Sequence, residues 1–451
     1  MASTYLTRTP ASAGNSKTFT FSAWVKLSKA NSTARAIFGS GSASNYGWDI
    51  FHNGTTNGLM LELYDNGGVD SANLRTTAVL RDLSAWYHIV VAVDTTQATA
   101  SDRYKIYING NLQTSFNLTS YPTLNYDMPI NTTSDVMYVG NGRVYNGYYL
   151  DGYMSHVHFT DGTAYDASTF GETDATTGIW KPKTAPLVTY GTNGFFLKFE
   201  NSGSMGLDSS PNGNNLTVNG SLTQTVDTPS NVFVTLNPLM KSNASITFNY
   251  GNTSATGANG VNWLGAMGTM GATKGKWYAE AKITDPLNFS IGFVKFGGLF
   301  QREIGTPNSG YLGIGNDSWG FWGNGASANL FHNNTQTSYG SVTSTNDIMM
   351  LAMDLDNGNL YWGKNGTWFN SSNPATSTSP AFSGINIDEY ITFGTGVEGG
   401  SVQWNFGNGY FGTTPVSSAT SDESGLGIFE YTVPSGYYAL CTKNINTQEY
   451  A

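Results

Sequence analysis

Along Thr18–Ser28, TFTFSAWVKLS, apolar and polar positions alternate with a period of two. Phe19, Phe21, Ala23, Val25 and Leu27 fall on one side, and Thr20, Ser22, Trp24 and Lys26 on the other. That period predicts a strand with one buried face. Trp24 breaks the rule, because it puts an indole on the polar side. A sugar platform, a subunit contact and a lid over further packing would each explain it. Packing is favoured over sugar binding.

Similar alternation recurs in WDIFH, LMLELYD, RYKIYING, VMYVGN and YMSHVHFTDG. Trp86–Thr95, WYHIVVAVDT, is instead almost continuously apolar, which predicts a central strand buried on both faces. A second block, from about Ser245 to Leu440, carries KWYAEAKI, NFSIGFVKF, GYLGIG, SWGFWG, IMMLAMDLD, NLYWGKNG, YITFGTG and VQWNFG. The pair Asn-Gly occurs fourteen times. Between alternating runs it predicts tight hairpins, because both residues tolerate the positive φ of a type I′ turn. Asn357-Gly358 and Asn365-Gly366 in succession predict a three-stranded meander. Helical periodicity is nearly absent, apart from a single turn at DASTFGE, Asp166–Glu172. The expected fold is all-β, with two antiparallel β-sandwich (jelly-roll) domains over residues 1–200 and 245–451. A Pro/Asn-rich stretch at 201–244 is expected to be an ordered linker.

Composition narrows the function. Charged residues are 12% of the 451, against about 25% in an ordinary protein. Aromatics reach 14%, which excludes a disordered Ser/Thr/Asn tract. The net charge is −10, and no run of Lys or Arg offers a groove for phosphates, so no nucleic acid is expected. No run approaches the length of a membrane span, so no membrane insertion is expected. MASTYLTRTPASAGNSKT lacks the apolar segment of a signal peptide, so synthesis in a cytoplasm is expected. Cys441 is the sole cysteine, which rules out an internal disulfide and suits a small apolar filler.

FTFSAWVKLS, WYHIVVAVD, YKIYINGNL and YLDGYMSHVHFTDGTAYD resemble the laminin-G/concanavalin A-like jelly roll over about Thr18–Glu172. GKWYAEAKI, SIGFVK, DLDNGNLYWGKNG, VQWNFGN and VPSGYYAL resemble a SPRY-type sandwich. The order of the two, joined by DTPSNVFVTLNPL, is similar to virion proteins of tailed phages, notably marine ones. That resemblance implies a virion surface location, other virion proteins as partners, a homo-oligomer such as a trimer, and a host cell-surface glycan as ligand. A tail-fibre receptor-binding component is the expected role, and capsid decoration the alternative. A glycan-degrading tail enzyme ranks third.

The residues point away from catalysis. Glucanases similar to laminarinases carry Glu-x-Asp-x-x-Glu on one strand, which places three carboxylates on one face. That spacing is absent, and Glu62 and Asp65 in ELYDNG fall on opposite faces of a strand. No nucleophile elbow is present. His156 and His158 share a strand face but have no third ligand at recognisable spacing. DLDNGN at 354–359 reads as a hairpin turn, because the distal Glu of a calcium loop is missing. No catalytic residue, metal ligand or cofactor is therefore assigned, and calcium has no placeable ligands. Sugar binding needs flat aromatics beside amides and carboxylates. The loops that offer both are SNYGWD, with Tyr46, Trp48 and Asp49, and NGRVYNGYY, with Asn141, Arg143 and Tyr145. A third is NDSWGFWGNG, with Asn316, Trp319 and Trp322. Trp319 and Trp322 are three apart, so an extended strand lets only one of them serve as a platform.

Overall fold

The computed structural model describes residues 3–29, 33–43, 46–65, 70–144, 146–175, 178–241, 245–260, 263–296, 310–324 and 326–450. The chain forms two compact units, Met1–Gln224 and Thr225–Ala451. Both are built from antiparallel sheets whose strands alternate core-facing and outward side chains.

In the first unit, Thr18–Leu27 lies between Gly152–Asp161 and Tyr87–Asp94 in a six-stranded sheet. The second sheet runs Phe116–Ser120, Asp70–Val79, Gly58–Tyr64, Tyr46–His52, Arg35–Ala43, Val136–Val139, Tyr5–Arg8, Thr217–Asn219. Phe19, Phe21, Ala23, Val25 and Leu27 enter the shared core, where Phe21 meets Phe38 at 4.6 Å between ring centres. The opposite face is buried as well, with Thr20, Ser22, Trp24 and Lys26 all at most 3% exposed. The strand is thus covered on both sides, not half-buried. A short hairpin, Gly171–Thr173 with Trp180–Pro182, supplies part of the cover. Its Trp180 donates from Nε1 to His88 Nδ1 at 3.0 Å. The His88 imidazole in turn stacks on Trp24, with ring centres 4.8 Å apart. Trp24 is therefore packing within this unit. Gly110, at φ +81° in the Asn109-Gly110 turn, and Gly171 leave room for the Trp180 ring.

The second unit stacks a sheet running Leu236–Lys241, Leu264–Gly268, Ile391–Val397, Phe289–Lys295, Ser318–Asn324, Ser327–His332, Thr335–Ser338 on another. The other sheet centres on Lys276–Asp285, flanked by Ser401–Asn405 and Ile348–Asp354. Trp277, Trp362, Trp404, Phe293 and Phe393 fill the core between them. The meander Ile348–Asp354, Asn359–Lys364, Thr367–Trp368 forms as its two Asn-Gly pairs predict. Asn365 and Gly366 both adopt positive φ, and Asp354 in the first turn accepts from Asn357 N.

DASTFGE makes the single turn its sequence suggests, the 3-10 turn Ala167–Thr169, capped by the Asp166 carboxylate on Ser168 N. Two features depart from expectation. GYLGIG is a turn rather than a strand, because Gly313 adopts φ +95° and breaks the extension. A seven-residue helix, Thr442–Gln448, follows Cys441. Cys441 itself is buried beside Phe233 and Tyr437, as an apolar filler would be. Within 201–244, Thr217–Asn219 pairs with Tyr5–Arg8 of the first unit, and Leu236–Lys241 pairs with Leu264–Gly268 of the second.

Candidate binding site

The loop residues of the first unit do come together, but chiefly to hold one another. Asp49 is fully buried, and its carboxylate accepts Arg143 N at 2.8 Å and Val144 N at 3.0 Å. Asn141, also buried, donates to Asn146 Oδ1 and accepts from Gly147 N. Arg143 reaches Tyr138 Oη at 3.3 Å and the Ser42 carbonyl. Trp48 lies in the core, edge-on to Phe19 and Phe38, so it presents no face to a ligand. Tyr46 is half-buried, and burial pushes its phenol up. Tyr145 lies outside the described residues. Asp49, Asn141 and Trp48 are thus framework, a correction to their expected role in sugar binding. A charge-poor chain leaves many irregular loops, and buried carboxylates satisfy the N–H groups those loops strand. Asp161, Asp208 and Asp422 do the same elsewhere.

Pairing also brings together two carboxylates that spacing along one strand could not reveal. Asp49 and Glu62 are direct cross-strand partners, with Asn73 next to Glu62. All three side chains are buried, and the Asp49 oxygens are taken by backbone donors, so a saccharide does not reach them as placed.

The histidines are framework too. His88 Nδ1 accepts the indole proton of Trp180, which places the imidazole proton on Nε2, 2.9 Å from Ser22 Oγ. That tautomer donates to the serine and cannot take its proton. Burial drives His88 down to about 3 and keeps it neutral. His158 contacts Tyr190 Oη through Nδ1 and stacks on Phe196, with ring centres 3.8 Å apart. His156 adopts φ +48° in a bulge between Ser155 and His158, so the two do not alternate as a regular strand would place them. Among the described residues no three His, Cys, Asp or Glu side chains gather as a metal site.

The second unit holds a different arrangement. On Ser318–Asn324, Trp319 turns inward, stacks on His332 at 5.1 Å and is 3% exposed. It is core, which corrects its expected part in binding. Trp322 takes the other face and lines a cavity of about 150 Å³ with Trp263, Ser290, Tyr311 and Phe331. Trp322 and Trp263 meet at 87° with ring centres 5.7 Å apart. Tyr311 packs on Trp263 at 5.5 Å, and Phe331 on Trp322 at 5.6 Å. Asn316 is exposed in the turn before the strand and is not among the lining residues.

Small residues make this pocket. Phe289, Ile291 and Phe293 point into the core, which leaves Ser290 and Gly292 on the outer face of that strand. A Cβ on Gly396 would sit 2.4 Å from Gly310 O, and one on Gly320 2.4 Å from Leu312 O. Without those side chains, the backbone of Gly310–Gly313 lies directly on the sheet. Ser290 Oγ accepts Leu312 N at 3.0 Å, and Ser318 Oγ accepts Gly313 N at 2.8 Å. Tyr311 is thereby fixed over the strands before any ligand arrives. Trp322 is legible in the sequence as a candidate, whereas Trp263, Tyr311, Phe331 and Ser290 are not. The glycines of GYLGIG and FGTGVEGG were the available signal, since glycine in strand-like runs marks close backbone approach.

Residues 2–168 match the family model described as the concanavalin A-like lectin/glucanases superfamily. The first unit therefore carries a lectin/glucanase-like β-sandwich. Among solved structures, the chain is similar to the PSpry domain of TRIM65, at 16% identity over 38% of this chain and 91% of that one, with TM-score 0.29. The SPRY domain of human HERC1 gives 16% identity over 38% and 96%, also with TM-score 0.29. A further human SPRY domain gives 13% identity over 36% and 94%, with TM-score 0.27. No curated protein matches the chain.

Proposed function

We propose that this chain is a non-catalytic recognition protein that binds a glycan through the aromatic pocket of its second unit. The observation that carries this reading is the pinned cluster of Trp263, Tyr311, Trp322 and Phe331 around a cavity of about 150 Å³. That volume is on the scale of one ring. Rings of mixed orientation present π faces to the C–H groups of a sugar, and among the described residues no charged side chain lines the space. The lectin-like first unit supports the same class of activity. The order of the sequence motifs supports placing the protein on a tailed-phage virion, as a receptor-binding part of the tail fibre facing host glycans. On that reading it assembles as a homo-oligomer with other virion proteins.

The test is binding of the full chain to an array of bacterial surface glycans. Wild type is expected to bind, and Trp322→Ala to lose at least tenfold in affinity while retaining its circular dichroism. Equal binding by both proteins would move the site elsewhere. Release of reducing sugar from any bound glycan would revive the enzyme reading. Antibody-labelled virions imaged by electron microscopy test the location, with label at fibre tips expected and label over the head favouring capsid decoration.

A further inference from the structure

The turn that closes the hairpin Ile348–Asp354, Asn359–Lys364 brings a lysine and an asparagine onto one carboxylate oxygen. Lys276 opens the central strand Lys276–Asp285 and is the cross-strand partner of Asp354. Its Nζ lies 3.1 Å from Asp354 Oδ2. Asn357 Nδ2 donates to that same oxygen at 2.8 Å, and Ser377 Oγ at 3.4 Å. The Asp354 side chain is fully buried, and Lys276 Nζ also sits over the Tyr437 ring, 5.8 Å from its centre. Further bonds hold the turn against the strand. Leu355 N donates to Gly275 O at 2.9 Å, and Gly275 N to Asp356 Oδ1 at 2.8 Å. Asn357 N donates to Asp354 Oδ1 at 3.1 Å, which fixes the backbone that carries the amide. An ion pair needs only two of these groups. An amine, an amide and a carboxylate shared between them are the parts of an acyl transfer.

We infer that Lys276 and Asn357 become joined by an amide bond, with Asp354 as the proton carrier. Asp354 takes one proton from the Lys276 ammonium, and the freed lone pair of Nζ attacks Asn357 Cγ. A second Nζ proton passes through Asp354 to Nδ2. The Cγ–Nδ2 bond then breaks as the Nζ–Cγ bond is retained. The departing nitrogen carries both protons away as ammonium, and Asp354 ends ionised. No oxidant, reductant or further reactant is consumed. Amines attack amides slowly in water, but well-oriented groups reach effective concentrations of about 10⁵–10⁸ M, and the reaction need occur only once per chain. Asn357 is exposed, so the ammonium leaves directly into solvent. The product closes residues 276–357 into a covalent loop, which restricts the unfolded chain and stabilises the second unit.

The experiment is intact-mass spectrometry of the purified full chain after incubation at neutral pH, followed by peptide mapping. The expected mass is about 17 Da below that of the sequence, one ammonia, with a branched peptide linking Lys276 to Asn357. Lys276→Arg keeps a cation beside Asp354 but has no amine able to attack. It is expected to keep the full mass, yield no branched peptide and unfold at a lower temperature than linked wild type. Asp354→Asn is expected to leave the two side chains unlinked. A rival reaction, attack of Gly358 N on the same Cγ, loses the same mass as a succinimide. A loss that persists in Lys276→Arg and is cleaved by hydroxylamine would assign it to that reaction and overturn the crosslink. Wild type of full mass would overturn it as well. Equal linkage in Asp354→Asn would overturn the part given to the carboxylate.

Discussion

Replacing Glu280 by Ala is expected to destabilise the second unit by about 3–5 kcal/mol. Glu280 sits on the central strand Lys276–Asp285, fully buried on the side away from the main core. Its Oε1 accepts Tyr431 N at 2.8 Å and Tyr278 Oη at 3.0 Å. Its Oε2 accepts Glu430 N at 2.9 Å and Asn405 Nδ2 at 3.2 Å. Removing the carboxylate strands four donors at once, two of them backbone groups. Amide hydrogen exchange of Trp277–Ala281 reads the effect as faster opening. The pH dependence is specific. Burial raises the Glu280 carboxyl from 4.5 to about 7, against the pull of its four donors. A raised acid holds its proton in the folded state while the unfolded chain releases it. Its contribution is therefore fully present below pH 4.5 and falls as pH rises through 7, by about 3 kcal/mol in all. Glu280→Gln, which does not titrate, is expected to flatten that slope. A slope unchanged in Glu280→Gln would assign the dependence to another group.

Trp24→Ala is the second large effect, with an expected loss of about 3–5 kcal/mol confined to the first unit. The indole is 3% exposed and stacked on His88, so its removal opens a cavity and bares the imidazole beneath. Hydrogen exchange of Ile89–Val93 is expected to quicken, while glycan binding is unchanged. A variant of native stability that lost glycan binding would make Trp24 a platform instead. His88 gives this unit the opposite response to acid. Burial lowers it from 6.5 to about 3, and His52 to about 4. The unfolded chain binds the proton first, so the stability these groups contribute is present above pH 6.5 and is lost as pH falls towards 3. On acidification from pH 7 to pH 5, these histidines weaken the first unit while Glu280 strengthens the second. Unit-resolved hydrogen exchange at the two values separates the contributions.

Much of this was legible in the sequence. Phe19, Phe21, Ala23, Val25 and Leu27 enter the core as their period dictates, and the Asn-Gly pairs at 109 and 365 turn with both residues at positive φ. Period two reports one buried face and is silent about the other. The cover over that other face includes Trp180, far along the chain, which donates to the His88 imidazole stacked on Trp24, and no local pattern announces it. The edge strand Phe116–Ser120 and its neighbour Asp70–Val79 were missed because their alternation is weak. The binding loops misled for a related reason. Asn and Asp beside aromatics suit a sugar site, but they equally suit the internal capping of irregular backbone, which is what Asp49 and Asn141 do. Trp322 was visible as one of two alternating indoles. Its partners were not, because Trp263, Tyr311 and Phe331 meet only when Gly310–Gly313 lies on a glycine floor.

The most direct test of the central claim, that the aromatic pocket is where a glycan binds, is the indole N–H spectrum of full-length protein carrying ¹⁵N-labelled tryptophan. Eleven tryptophans give eleven cross-peaks, and Trp322→Phe identifies one of them. On titration with a glycan that binds the full chain, the Trp322 cross-peak is expected to shift strongly and Trp263 to follow, while Trp24 and Trp48 stay in place. Saturable movement of any other indole, with Trp322 unmoved, would contradict the account.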